Sequence, residues 1–270
     1  MPEDETIKRT ITPNTKESLK RDLMALGLES GAIIIMHSSL SRLGWTIGGS
    51  VALIQAVMEL LTSKGTLVMA CFTGENSEPS KWENPPVPEE WWETVRENMP
   101  VFQMDVTPTR GVGIVAEVFR TFPNVIRSSH PVSSFAAWGK YAKRITQNHI
   151  LNSDLGEGSP LAKIYELDGQ ILLVGVTHEN NTSIHLAEYR SSYPSKKYVT
   201  TGSAILINGM RKWVEWKELD LNMDDFEQLG NDFETSINYS PKKVGIAEAR
   251  LFSQRQLVDF AVGWMNQNRG

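Results

Sequence analysis

In the stretch NTSIHLAEYR, residues 181–190, His185 and Glu188 stand three residues apart, directly after the apolar run QILLVGV and the turn THENNT. Asn181, Thr182 and Ser183 are all residue types that cap helices. With Thr182 as the cap, His185 falls in the first turn, where the helix dipole disfavours imidazolium and favours the neutral imidazole that a general base requires. Glu188 lies on the same helix face and can orient the ring or oppose that shift. The same spacing also suits a capped helix whose histidine merely packs against a sheet.

Other stretches carry chemistry of a different kind. HSSLSRLGWTIGG, residues 37–49, offers the hydroxyls of Ser38, Ser39 and Ser41 together with backbone N–H groups and glycines, the equipment of a pyrophosphate cradle. It matches neither GxGxxG nor GxxxxGK[ST], so neither a dinucleotide fingerprint nor a P-loop is supported. TPTRGVG, residues 107–113, places Thr109 and Arg110 just before a helix, where a guanidinium can grip phosphate with two hydrogen bonds or form a surface salt bridge. In RSSHPVSSFAAWG, residues 127–139, Pro131 biases His130 towards an extended or turn geometry and a structural role. The one cysteine, Cys71, excludes an internal disulfide framework and a Cys-based zinc cluster. As a nucleophile it would give a ping-pong acyltransferase, but its setting in LVMACF is that of a buried structural thiol.

These residues need a scaffold, and the apolar pattern supplies one. Residues 15–27 read as an amphipathic helix with Leu19, Leu23 and Leu26 on one stripe and Gly27 as its stop. AIIIM at 32–36 suits a buried strand, residues 50–61 a helix, and TLVMACF at 66–72 the next strand. Strand, helix, strand makes a βαβ unit, hence parallel pairing beneath helices. Helices are expected in GVGIVAEVFRTF and SPLAKIYEL, a buried strand in QILLVGV and a short strand or turn in SSFAAWG. Beyond Lys196, two alternating runs meet at Asn208-Gly209, a hairpin signal. The expected fold is a single α/β domain over residues 1–270, with a mostly parallel central sheet flanked by helices and an antiparallel C-terminal hairpin region. In such sheets ligands bind at the carboxyl ends of the strands. The stretch ENSEPSKWENPPVPEEWWETVRENMP reads as an ordered loop or lid, because its tryptophans need a surface to pack on.

The totals exclude several function classes. A net charge of -5 without clustered Lys and Arg argues against a nucleic-acid surface. No apolar run approaches the roughly 18 residues of a membrane span, and MPEDETIKRT is too polar for a secretory signal, so a cytoplasmic location is expected. Glu218, Asp220, Asp224, Asp225, Glu227, Asp232 and Glu234 follow one another with no Lys or Arg between them, either as a solvated loop or as a surface that recognises a cation. An exposed hairpin edge would support a homodimer.

Taken together, HSSLSRLG at 37–44, KWENPPVPEEWW at 81–92, TPTRGVG at 107–113, RSSHPVSSFAAWG at 127–139, LGEGSPLAKIYELDGQILLVG at 155–175, NTSIHLAEYR at 181–190 and WVEWKELD at 213–220 resemble the aminoglycoside 3-N-acetyltransferase family. The resemblance implies transfer of an acetyl group from acetyl-CoA to the 3-amino group of a 2-deoxystreptamine aminoglycoside, with no metal. It implies that His37, Ser38, Ser39, Leu40 and Ser41, with Thr109, Arg110 and Gly111, hold the pyrophosphate and pantetheine of CoA. Ser134 and Phe135 would line the thioester end. His185 would take the proton of the substrate ammonium, directly or through water, and Glu188, Glu218 or Asp220 would orient the imidazole. Glu83, Asp220, Asp224 and Asp225 would recognise the polycation. Another amine substrate, or CoA binding without turnover, is compatible with the same residues.

Overall fold

The βαβ unit read from the sequence forms the middle of a seven-stranded sheet in a computed structural model that describes residues 2–270. In chain order the elements are α1 (Glu3–Arg9), α2 (Lys16–Leu26), β1 (Ile33–Ser38), α3 (Leu40–Leu43), α4 (Gly49–Leu61), β2 (Thr66–Ala70), α5 (Trp92–Asn98), α6 (Gly113–Phe119), β3 (Ile126–Arg127) and β4 (Phe135–Gly139). There follow α7 (Ala142–Thr146), α8 (Pro160–Glu166), β5 (Gln170–Val174), α9 (Ile184–Arg190), β6 (Tyr198–Ile207), β7 (Met210–Leu219), α10 (Phe226–Ser236), β8 (Lys242–Val244), β9 (Ala247–Ser253) and α11 (Gln254–Asn268).

Strand order is β3-β4-β2-β1-β5-β9-β8. Parallel pairing is confined to β2-β1-β5, and the strands on either side of this centre are antiparallel. Short connections account for the two outer pairings: β3 reaches β4 through residues 128–134, and β8 reaches β9 through residues 245 and 246, too short for the helical crossover that parallel neighbours need. The α/β class and the separate β6/β7 hairpin stand as expected, with a mixed periphery around the parallel centre.

Alternation along the central strands divides two cores. Ile34 and Met36, Leu67 and Met69, and Leu172 and Val174 face a layer containing α2, α4 and α6. Ile33 and Ile35, Val68 and Ala70, and Ile171 and Leu173 face the layer of α7 to α11. Because both faces are covered, these strands read as continuous apolar runs. Their helices have local starts and stops: α2 opens with a Thr15–Ser18 capping box and ends at Gly27, whose φ of 116° a residue with a Cβ adopts only under strain.

The hairpin turns at Asn208 and Gly209, both at positive φ, as a two-residue type I′ loop requires. The tryptophan-rich stretch is ordered around α5: Arg96 pairs with Glu78 at 2.6 Å, and Trp82 Nε1 donates to Ser77 Oγ at 2.9 Å. Arg211 of β7 donates to Met99 O at 2.9 Å and fastens this stretch to the hairpin. Among the described residues no helix is long and apolar enough to cross a membrane.

Candidate active site

The carboxyl ends of β1 and β5 open into a cleft of about 840 Å³ bounded by the loops that follow them and by residues 111–116. The serine loop forms one wall: His37, Ser38, Ser39, Leu40 and Ser41 all line the cleft, as does Gly111. His185, on α9, and Thr182, just before it, also line the cleft, and Phe72, Val112 and Phe226 add apolar surface. The lining is mixed: Arg42, Glu179, Asn180 and Asn181 join the serine hydroxyls among its polar groups.

α9 begins one residue later than the Thr182 cap implies, at Ile184, and keeps His185 in its first turn. His185 Nδ1 lies 2.5 Å from Glu188 Oε2. A carboxylate only accepts, so Nδ1 carries a proton and donates, and in the neutral ring Nε2 is then the acceptor nitrogen of a side chain that lines the cleft. Glu188 is fully buried, and its other oxygen, Oε1, accepts from Asn222 N–H at 2.9 Å and from Arg269 Nη1 at 2.7 Å. Arg269 in turn grips Asp225 at 2.6 and 2.7 Å. The His185 ring packs against Phe226, with centroids 4.9 Å apart. On the neighbouring strand, burial and the adjacent His185 hold His37 down to about 4, so it is neutral at physiological pH. Its Nε2 is enclosed with no hydrogen-bond partner.

The other acids proposed for His185 lie elsewhere. Glu218 accepts from Trp216 Nε1 at 3.2 Å, and burial, aided by Asp154, raises its carboxyl to about 8. Asp220 pairs with Lys197 at 2.9 Å. Both belong to the end of the hairpin, whose course sequence does not fix, whereas Glu188 is tied to His185 by helical geometry. Asp220, Asp224, Asp225 and Glu83 instead converge on a second cavity of about 560 Å³ together with Lys197 and Arg269. Met223 lines both cavities, so the acidic one abuts the cleft that holds His185. Two further acids of the run are structural: Asp232 accepts from Trp264 Nε1 at 2.8 Å, and buried Glu234 binds His178 at 3.0 Å and Arg250 at 2.5 Å.

Several residues expected at the CoA end do not face the cleft. Ser134 is fully buried, donating to Cys71 O at 2.7 Å and accepting from Arg127 Nε at 3.0 Å. Phe135 starts β4 opposite Ala70 and points into the core, edge-on to Phe72 at 5.6 Å; it is Phe72 that lines the cleft. Arg110 bonds Glu75 and Asn84 O, and Thr109 N–H donates to Glu117 at 2.7 Å. Glu75, in the stretch between β2 and α6, and Glu117, on α6 itself, thus satisfy the two groups. Cys71 is fully buried, and burial pushes its thiol up to about 12, the environment of an inert structural thiol. His130 accepts from Ser133 N–H at 2.9 Å and donates to Leu151 O at 3.2 Å, a structural role. Among the described residues no three His, Cys, Asp or Glu side chains converge as metal ligands. Sequence reasoning missed Phe226, Asn222 and Arg269; Phe226, an aromatic inside an acidic run, was the one visible signal.

The sequence model of the aminoglycoside 3-N-acetyltransferase family matches residues 35–266. The chain is 46% identical over 263 residues to the SPbeta prophage-derived aminoglycoside N(3')-acetyltransferase-like protein YokD of Bacillus subtilis, covering 97% of this chain and 96% of that one. The crystal structure of YokD superposes with a TM-score of 0.90 over 95% of this chain and 100% of its own. A binary complex of AAC-IIIb with CoASH superposes with a TM-score of 0.85 at 29% identity, covering 96% of this chain and 98% of that one. AAC-VIa bound to sisomicin gives 0.87 at 27% identity, covering 96% and 100%.

Proposed function

The chain belongs to the aminoglycoside 3-N-acetyltransferase family, and on that premise we propose that it acetylates the 3-amino group of a 2-deoxystreptamine aminoglycoside from acetyl-CoA, with His185 as general base. The observation that carries this reading is the position of His185: on the wall of the cleft, its Nδ1 committed to a buried carboxylate, beside a second cavity lined by four acids. An aminoglycoside is a polycation. Glu83, Asp220, Asp224 and Asp225 outnumber Lys197 and Arg269 around that cavity, and such a surface favours encounter and orientation of a cationic substrate.

Acetyl-CoA takes the larger cleft, its pyrophosphate near the serine loop and its thioester towards His185. The cleft's hydroxyl and apolar lining supports this assignment, as does the CoASH complex of AAC-IIIb. The 3-ammonium then loses a proton to His185 Nε2, directly or through water, and the freed amine attacks the thioester carbonyl. Glu188 stabilises the imidazolium that forms; as the tetrahedral adduct collapses the C–S bond breaks, the proton on His185 passes to the departing CoA thiolate, and the second amine proton leaves to solvent. With Cys71 buried, attack is direct and no acyl-enzyme is formed. Resistance to aminoglycosides and a cytoplasmic location, where acetyl-CoA is available, follow from this activity.

The test is thiol release from acetyl-CoA across a panel of 2-deoxystreptamine aminoglycosides, with the acetylated nitrogen located by NMR. Release with several members and acetylation at N3 is expected. Absence of release with every member would refute the substrate assignment, and release with a different amine class would replace it.

A further inference from the structure

Arg269 follows α11 and is separated from His185 by most of the C-terminal third of the chain, yet its guanidinium lies one carboxylate away from that ring. Nη1 donates to Glu188 Oε1 at 2.7 Å, while Nε and Nη2 hold Asp225 in a two-pronged grip. Nη2 also donates to Asn222 O at 2.8 Å, and the guanidinium lies over the Tyr193 ring at 5.2 Å. The group is therefore oriented from three directions, as planar guanidinium chemistry permits and an ammonium does not.

The two oxygens of Glu188 are divided between two tasks. Oε2 meets His185, and Oε1 meets Asn222 N–H and Arg269. Pinning Oε1 fixes the carboxylate's rotation and so presents Oε2 to Nδ1. Which nitrogen of a histidine carries the proton is set by the hydrogen bond made by the other. Among the described residues no other cation is seen to make this contact: Lys196 directs its ammonium to the carbonyls of Tyr189 and Ser191, both at 2.8 Å. His37 is neutral, and Asp225 is already gripped by Arg269.

We propose that Arg269 is a positioning residue, which pins the remote oxygen of Glu188 and thereby holds His185 in the tautomer whose unprotonated Nε2 faces the cleft. The consequence for turnover rests on the acetyltransferase reading; the consequence for the tautomer does not. Arg269 also lines the acidic cavity, so a small cation from solvent can enter the space its side chain would vacate.

The experiment compares wild type, Arg269→Ala and Arg269→Lys. In Arg269→Ala, kcat is expected to fall roughly 100-fold, the scale of a misplaced reacting group, with the KM for acetyl-CoA held. Added guanidinium chloride at low, non-denaturing concentration should restore much of that loss where sodium chloride does not. Arg269→Lys keeps the charge but reaches only one carboxylate, and should retain kcat within about tenfold of wild type yet below it. Independently of turnover, ¹⁵N NMR of the His185 ring, assigned with His185→Gln, should show one tautomer in wild type and a mixture in Arg269→Ala. An Arg269→Ala protein with wild-type kcat or an unmoved tautomer signal would overturn the proposal. So would a loss that sodium chloride and guanidinium restore equally. If Arg269→Ala does not fold, Arg269→Lys at wild-type kcat overturns it. Absence of turnover in wild type would defeat the acetyltransferase reading alone and leave the tautomer measurement decisive.

Discussion

Replacing Glu218 with glutamine is expected to stabilise the protein above neutral pH and to leave turnover almost untouched. Burial and the nearby Asp154 raise Glu218 from 4.5 to about 8, while the Trp216 indole N–H only partly offsets them. Asp154 accepts from three donors: Ser133 Oγ at 2.9 Å, Leu155 N–H at 2.8 Å and Tyr189 O–H at 2.6 Å. Between 4.5 and about 8 the unfolded chain has released a proton that the folded protein still holds. Unfolding therefore releases a proton, and stability falls as pH rises, by about 1.4 kcal/mol per pH unit at most. Over the whole window the ceiling is about 5 kcal/mol, and because the side chain is only half-buried about half of that is expected. Glutamine keeps an acceptor for the indole and does not titrate. Urea unfolding of wild type and Glu218→Gln between about pH 5 and 9 measures the difference. The variant's advantage should grow by about 2–3 kcal/mol from the acid to the alkaline end. At neutral pH its kcat should stay within about twofold of wild type, since Glu218 does not touch His185. Parallel pH curves would refute the electrostatic account, and a large loss of kcat would return Glu218 to the role of histidine partner.

Other substitutions probe separate parts of the molecule. His185→Gln should lower kcat by about 10²–10⁴-fold while the acetyl-CoA dissociation constant, read by calorimetry, stays close to wild type; unchanged turnover removes His185 from the chemistry. Cys71→Ala should retain full activity and intersecting initial-velocity lines, whereas a parallel pattern lost on substitution would revive a covalent route. Gly230→Ala places a Cβ 1.9 Å from His178 Cγ, on a ring that is fully buried and stacked on Phe252 at 5.6 Å. Neither neighbour has room to yield, so a loss of about 3 kcal/mol or more is expected in denaturant unfolding, and a loss below about 1 kcal/mol would contradict the packing.

Much of this protein is written in local sequence. The apolar runs at 32–36, 66–72 and 170–174 announce strands buried on both faces, Gly27 and Asn208-Gly209 punctuate the chain where positive φ is needed, and the serine loop falls at a strand's carboxyl end. His185 and Glu188 belong to this legible set, because three residues of helix bring two side chains together whatever the rest of the chain does. The tertiary structure decided what lies across long separations. It turned Arg110 to Glu75, enclosed Ser134 and Phe135 behind Phe72, sent Glu218 to Asp154 and Asp220 to Lys197, and brought Asn222, Asp225 and Arg269 to the back of Glu188. Spacing along a helix or strand is set by covalent geometry and is visible in any short segment. Which charge meets which across the fold depends instead on how the hairpin, α10 and α11 pack, and that depends on every residue beneath them.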